Sequence, residues 1–265
     1  MQTHGAVTFC CRLLAQLEEG AGGDLLISIH ETSGPGAGSW LNPPSASSHF
    51  FTDQAFVSDV RLRMHLPIFV GETQCQHATR PNPQRPSRRC ALNNDRFGIH
   101  ALHCQIGGGI VQRHNALRDL VAEKISDETG QPALVEQHNA AHSDNHEPDV
   151  SYQTWRGDTS WLDIEVVSPV ARHSSQSRHT RAGSAIAAAE SFKRRKYPAL
   201  ALVPIISAHL GRSRNDLGTF VRALFRSPDP ATRTKQIGEF WQSWSSTLQQ
   251  WNVKILSSAG RLLPP

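Results

Sequence analysis

A chain of 265 residues with 38% hydrophobic and 19% charged content belongs among ordinary globular proteins, long enough for one full domain and additions. No run approaches the roughly 18 apolar residues of a bilayer span, which argues against membrane insertion. Five scattered cysteines argue against a disulfide framework and for a reducing compartment, and the first twenty residues lack the basic start and cleavage signal of a secretory leader.

In chain order, residues 1–50 are weakly patterned. Ser33-Gly-Pro-Gly-Ala-Gly-Ser39 and Asn42-Pro-Pro-Ser-Ala-Ser-Ser48 are turn and linker material. From Asp53 to Leu66, Phe56, Val60 and Met64 recur at four-residue spacing, and Asp53 can cap a short amphipathic helix. Residues 71–90 carry three prolines, four arginines and no periodicity, and read as a loop. After Gly107-Gly-Gly109 a helix runs to about Thr129, with Ile110, Leu117, Val121 and Ile125 on one face and Gly130 as its stop.

Four strand-length apolar runs follow: Ala133–Glu136, Val150–Thr154, Trp161–Val167 and Ala199–Ile206. An alanine-rich helix, about Arg181 to Lys196, lies between the last two. Helices at about 216–226 and 231–251 close the chain, the second with Phe240, Trp241, Trp244, Leu248 and Trp251 at core-packing spacing. The order helix, three strands, helix, strand specifies an α/β fold, a mixed sheet with helices against it. It divides into a linker-rich region (1–70), a knuckle-like segment (71–106), a core (107–210) and a helical appendage (211–265).

The net charge of +4 says less than its clustering. Arg80, Arg85, Arg88 and Arg89 precede Cys90. Arg172, Arg178 and Arg181 follow the acidic strand, and Lys193-Arg194-Arg195-Lys196 ends the next helix. Such runs are either solvated loops or a polyanion's counterpart, since phosphate neutralisation supplies most sequence-independent nucleic-acid affinity.

Asp149 and Asp163 are separated by thirteen residues, room for two short strands and a turn through Arg156-Gly157-Asp158. Adjacent strands can then hold both carboxylates together, where they repel unless a cation neutralises them. Such oxygen-rich sites suit Mg²⁺ or Mn²⁺, which activates water and steadies a leaving oxygen. Glu165 shares the face of Asp163, and charges within so apolar a strand are costly unless paired or metal-bound. The other reading of the pair is two solvating acids at strand edges.

The chain resembles the restriction-enzyme-like endonuclease that follows the reverse transcriptase in non-LTR retrotransposons, a branch of the PD-(D/E)XK superfamily. The resemblance is carried by Gly36-Ala-Gly-Ser-Trp40-Leu, Arg61-Leu-Arg63-Met-His-Leu66-Pro, Asp95-Arg-Phe-Gly98-Ile-His100-Ala-Leu-His-Cys104 and Arg113-His114-Asn115-Ala-Leu117-Arg118-Asp119. It continues through Glu136, Pro148-Asp149-Val, Trp155, Asp163-Ile-Glu-Val-Val-Ser168-Pro169 and Lys193-Arg-Arg-Lys196-Tyr197.

It implies an αβββαβ restriction-endonuclease-like core and a Mg²⁺- or Mn²⁺-dependent nuclease that nicks target DNA in the nucleus. Asp149 and Asp163 would hold the metal, with Glu136 completing or orienting its shell. Glu165 stands where the superfamily lysine usually lies, so that role falls to Lys193, or second to Lys196. Arg113, His114, Arg118, Arg172, Arg178, Arg181 and Lys196 become candidate contacts to DNA, with RNA as a second partner. From its place on the apolar helix face, His114 reads first as a satisfied core histidine, and the resemblance raises the alternative of a histidine that supports the acidic site or contacts phosphate.

The resemblance also implies a zinc knuckle held by Cys90, His100 and Cys104. Arg88 occupies the usual position of the fourth ligand, which leaves Cys75 or His77 to supply it. The sequence contains no Tyr- or Phe-x-Asp-Asp pair and so cannot copy RNA. It reads as a retroelement fragment, a decayed copy or a host protein made from the endonuclease end. The rival function is a nucleic-acid-binding module that has lost cleavage, and a third reading is an interaction protein using the Trp-rich helix.

Overall fold

The computed structural model describes residues 23–34, 36–81, 86–136, 147–169, 183–198, 200–213 and 215–265. Two helices precede the knuckle, where one was expected: α1, Gly23–Thr32, and α2, Asp53–Arg63. Thr52, not Asp53, caps α2, because its hydroxyl accepts from the Ala55 amide. Asp53 sits in the first turn, where its charge suits the dipole.

Residues 71–90, expected as a loop, contain a paired arm. Strands β1 (Thr73–Gln74) and β2 (Asn93–Asn94) are antiparallel, and Ala78 bridges Arg89. The pairing was invisible to periodicity because backbone bonds, such as Cys75 N–H to Leu92 O and Cys90 N–H to His77 O, hold it instead of an apolar face. Helix α3 (Ile99–His103) follows Gly98, whose φ of 78° and closeness to Leu256 leave no room for a side chain.

Helix α4 (Gly109–Thr129) ends at Gly130 in the left-handed conformation. Strands β3 (Leu134–Val135), β4 (Val150–Gln153), β5 (Thr159–Val167) and β6 (Leu202–Ala208) stand in that order in one sheet. The first two pairings are antiparallel, and β5 with β6 is parallel. Helix α5 (Ser184–Lys196) makes the crossover that a parallel pair requires. The expected order of helix, three strands, helix and strand is therefore present in a mixed α/β architecture.

Helices α6 (Asn215–Leu224) and α7 (Pro230–Ala259) complete the chain. Leu117, Val121 and Ile125 of α4 meet Leu162 and Ile164 of β5, Phe220 of α6, and Phe240, Trp244 and Leu248 of α7 in the main core. Each such buried side chain contributes on the order of 2 kcal/mol. The buried Trp244 indole donates to Ser207 Oγ at 3.1 Å. Helix α7 runs beyond the expected end at 251 because Ile255, Leu256 and Ala259 join a second core with Phe69, Leu102, Cys75, Cys90 and Cys104. The C-terminal region, read as an appendage, thus packs into both cores. Across the sheet, Ile186 of α5 covers Ile206 and Ala208. No helix among the described residues is long and apolar enough to cross a membrane.

Candidate active site and metal centre

Alternation along β5 decides which side chains enter the core. Leu162 and Ile164 are buried on the face of the main core, so Asp163 and Glu165 take the other side, toward α5. Asp163 is only 3% exposed, and its Oδ1 accepts from Lys193 Nζ at 2.7 Å. Glu165 Oε2 lies 3.3 Å from the same ammonium. The other Asp163 oxygen is buried without a hydrogen-bond partner.

Asp149 stands just before β4 and is fixed against β5: its Oδ2 accepts from the Ile164 amide at 2.5 Å. Its Oδ1 lies 3.1 Å from His114 Nε2 of α4. Asp149, Asp163, Glu165, Lys193, Lys196 and His114 line one cleft of about 350 Å³, together with Glu147, Tyr197, His103 and Arg113. A single cleft therefore gathers residues from His103 to Tyr197, contributed by α3, α4, β5, α5 and the segment that leads into β4.

Burial holds the Asp163 carboxyl above the usual range, with Lys193 opposing and Asp149 reinforcing that shift. Burial also works against the Lys193 charge, but Asp163 and Glu165 outweigh it and raise its pKa. With two carboxyl groups within 3.3 Å, the ammonium stays charged. The hydrogen bond to Asp149 raises His114 against the effect of burial. Burial, then the charge of Asp163, push the Tyr197 phenol up to about 12, so it remains a neutral donor.

Several expected contacts lie elsewhere. The Glu136 carboxylate is bound by Arg118, and Glu136 does not line the cleft. Arg118 also binds Asp119 and is itself largely buried, so the pairing occupies a residue expected on nucleic acid. Arg113 is 2% exposed and donates to Asn252 Oδ1 of α7 at 2.8 Å, which makes it a tie between helices. His114 is neither a core histidine nor a free one, being held by Asp149. Arg172, Arg178 and Arg181 lie outside the described residues. Glu147 was missed although its place two positions before Asp149 was a usable signal.

The second polar centre is the group Cys75, Cys90, His100 and Cys104, whose ligand atoms all lie within 4.8 Å of one another. The arm pairs Cys75 with Leu92 and His77 with Cys90, which brings the two cysteines near each other across it, and α3 presents His100 and Cys104 one turn apart. Cys75 Sγ to Cys104 Sγ is 4.0 Å, and Cys90 Sγ to His100 Nε2 is 3.4 Å. The edges of a tetrahedral thiolate site are about 3.8 Å for metal–sulfur bonds of roughly 2.3 Å, so the group can hold a metal ion.

Of Cys75 and His77, the one whose ligand atom joins those of Cys90, His100 and Cys104 is Cys75. His77 Nε2 lies 3.0 Å from both Ile255 O and Ser258 Oγ of α7. Arg88 pairs through its amide with Thr79. Burial pushes the Cys104 thiol up to about 12 and raises Cys75 also, while the Ile106 and His77 amides pull the two thiols back toward ionisation.

The acids also suit a hard cation by donor type, and the unpartnered Asp163 oxygen is a spare acceptor for one. A comparison with protein-family models finds none that matches the chain, and a comparison with curated proteins finds no similar one.

Proposed function

We propose that the protein is a divalent-metal-dependent endonuclease with a restriction-endonuclease-like core, derived from a non-LTR retrotransposon and acting on DNA. The observation that carries this reading is the meeting of Asp149, Asp163 and Lys193 in one cleft, with a buried Asp163 oxygen left over. Asp149 and Asp163 would hold Mg²⁺ or Mn²⁺, which supplies an activated water and a stabilised leaving oxygen when bound. Lys193 has three donor protons. Two are engaged by Asp163 and Glu165, leaving one to face the charge that develops on phosphate. His114 fixes the Asp149 carboxylate from the other side. The cysteine cluster, in this reading, binds one Zn²⁺ as a closed structural site.

One observation favours a nucleic-acid-binding module instead. Both acids already face a nitrogen of a neighbouring side chain, Asp149 that of His114 and Asp163 the Lys193 ammonium, so neither stands alone in the cleft. Incubation with supercoiled plasmid, with and without Mg²⁺ or Mn²⁺, separates the two. Metal-dependent nicking is expected. Binding without nicking in either metal would establish the module reading.

A further inference from the structure

We infer that the third carboxylate of the cation site is Glu147, and that Glu136 has no part in it. This rests on the nuclease reading for its purpose, though the binding of a cation does not. Glu136 is excluded by its surroundings. Its side chain is 61% exposed, its carboxylate is taken by Arg118, and its backbone adopts φ 50° where its amide meets Asp149 O. Turning that carboxylate into the cleft would break the ion pair with Arg118.

Glu147 is placed by the residue that follows it. Proline fixes its own φ and pushes the preceding Glu147 toward extended backbone, and the chain bends at Asp149 as it enters β4. Alternation then sends residues 147 and 149 to one side and residues 148 and 150 to the other. Burial follows that pattern: Pro148 and Val150 are buried, Glu147 and Asp149 are half-buried, and both acids line the cleft.

The second, independent observation is Asp163. It is 3% exposed and lines the same cleft, and its Oδ2 has no partner at hydrogen-bond geometry, although the Tyr197 phenol also faces this carboxyl. A buried carboxylate oxygen of this kind needs a donor or a cation. Lys193 serves the opposite oxygen and Glu165, so its charge is already divided. Three hard oxygen donors from Glu147, Asp149 and Asp163, with water and a phosphate oxygen completing the shell, suit Mg²⁺ or Mn²⁺.

The test is Mn²⁺ affinity, measured by electron paramagnetic resonance on the full chain as purified, without DNA. Glu147→Gln should weaken Mn²⁺ binding roughly tenfold or more, the scale for losing one supporting group at a metal site. Glu136→Gln should leave it within about twofold, and Glu147→Asp should retain part of the affinity. Thermal melting of each variant checks the fold, and Glu147→Asp carries the test if the Gln variant does not fold. Equal Mn²⁺ affinity in Glu147→Gln and the unaltered protein overturns the inference, as does a loss confined to Glu136→Gln or an unaltered protein that binds no Mn²⁺. Cation binding through Glu147 without plasmid nicking would sustain this inference and sink the nuclease reading. Nicking that survives in Glu147→Gln with the same Mn²⁺ requirement would do the reverse.

Discussion

The cysteine–histidine cluster and the acidic cleft are joined by one stretch of chain, from Cys104 into α4, yet they compensate their polar groups differently. Cys75, Cys90, His100 and Cys104 gather four ligand atoms around one point. In the cleft, Asp149 faces His114 and Asp163 faces Lys193. The cluster therefore needs a cation to bring its buried thiols together as thiolates. The cleft can fold without one. A metal should act on the stability of the first region and on the chemistry of the second.

The largest expected effect tests the first half of that contrast. Cys104→Ser, or stripping with a strong chelator, should abolish binding of one Zn²⁺ per chain. It should also cost a large part of the roughly 5–15 kcal/mol that keeps a domain folded. The loss should spread, because Cys75, Cys90 and Cys104 share a core with Leu256 and Ala259 of α7. Metal analysis beside thermal melting decides this. A metal-free protein that melts like the untreated one would make the cluster a relic.

Asp163→Ala should do the opposite. Nicking should disappear while the fold survives, since Lys193 keeps Glu165 as a partner. DNA affinity should hold or rise slightly, because an anion facing phosphate is gone. Retained nicking would remove Asp163 from the site. Lys193→Ala should slow cleavage on the order of 10²-fold. It should also destabilise the protein by about 3 kcal/mol, because a buried carboxylate then loses its cation. Slowing without destabilisation would show that the pair forms only loosely.

The two regions also differ in how far the sequence reveals them. Alternation in Trp161–Val167 placed Asp163 and Glu165 together, and short apolar runs flanking Asp149 placed it on the neighbouring strand. Lys193 needed the resemblance, because no local pattern ties a helix end to a strand thirty residues earlier. Residue type indicated a cluster, yet the fourth ligand stayed open because backbone pairing in the arm sets its register. The surface and buried arginines were the least legible. Arg113 and Arg118 look alike in sequence, and only the packing of α4 on α7 puts one against Asn252 and the other beside Glu136.

The smallest effect sharpens the comparison by supplying a buried acid that has neither metal nor hydrogen-bonded cation. Asp59 of α2 is fully buried, both its oxygens lack partners, and the nearby Arg63 spends its donors on the Ala37, Leu210 and Thr32 carbonyls. Burial, opposed by the charge of Arg63, pushes its carboxyl up to about 8. A raised carboxyl favours the protonated form in the folded state. Its contribution is complete below the unfolded value of about 4 and is lost as pH rises toward 8. Within that window, each pH unit removes about 1.4 kcal/mol from the folded state. Asp59→Asn abolishes the titration, so its stability relative to the unaltered protein should climb by about that amount between pH 5 and pH 6. Denaturant titration at the two pH values measures the change. A gap that stays flat would mean that Asp59 is ionised in the folded protein and has a compensating cation, as Asp163 does.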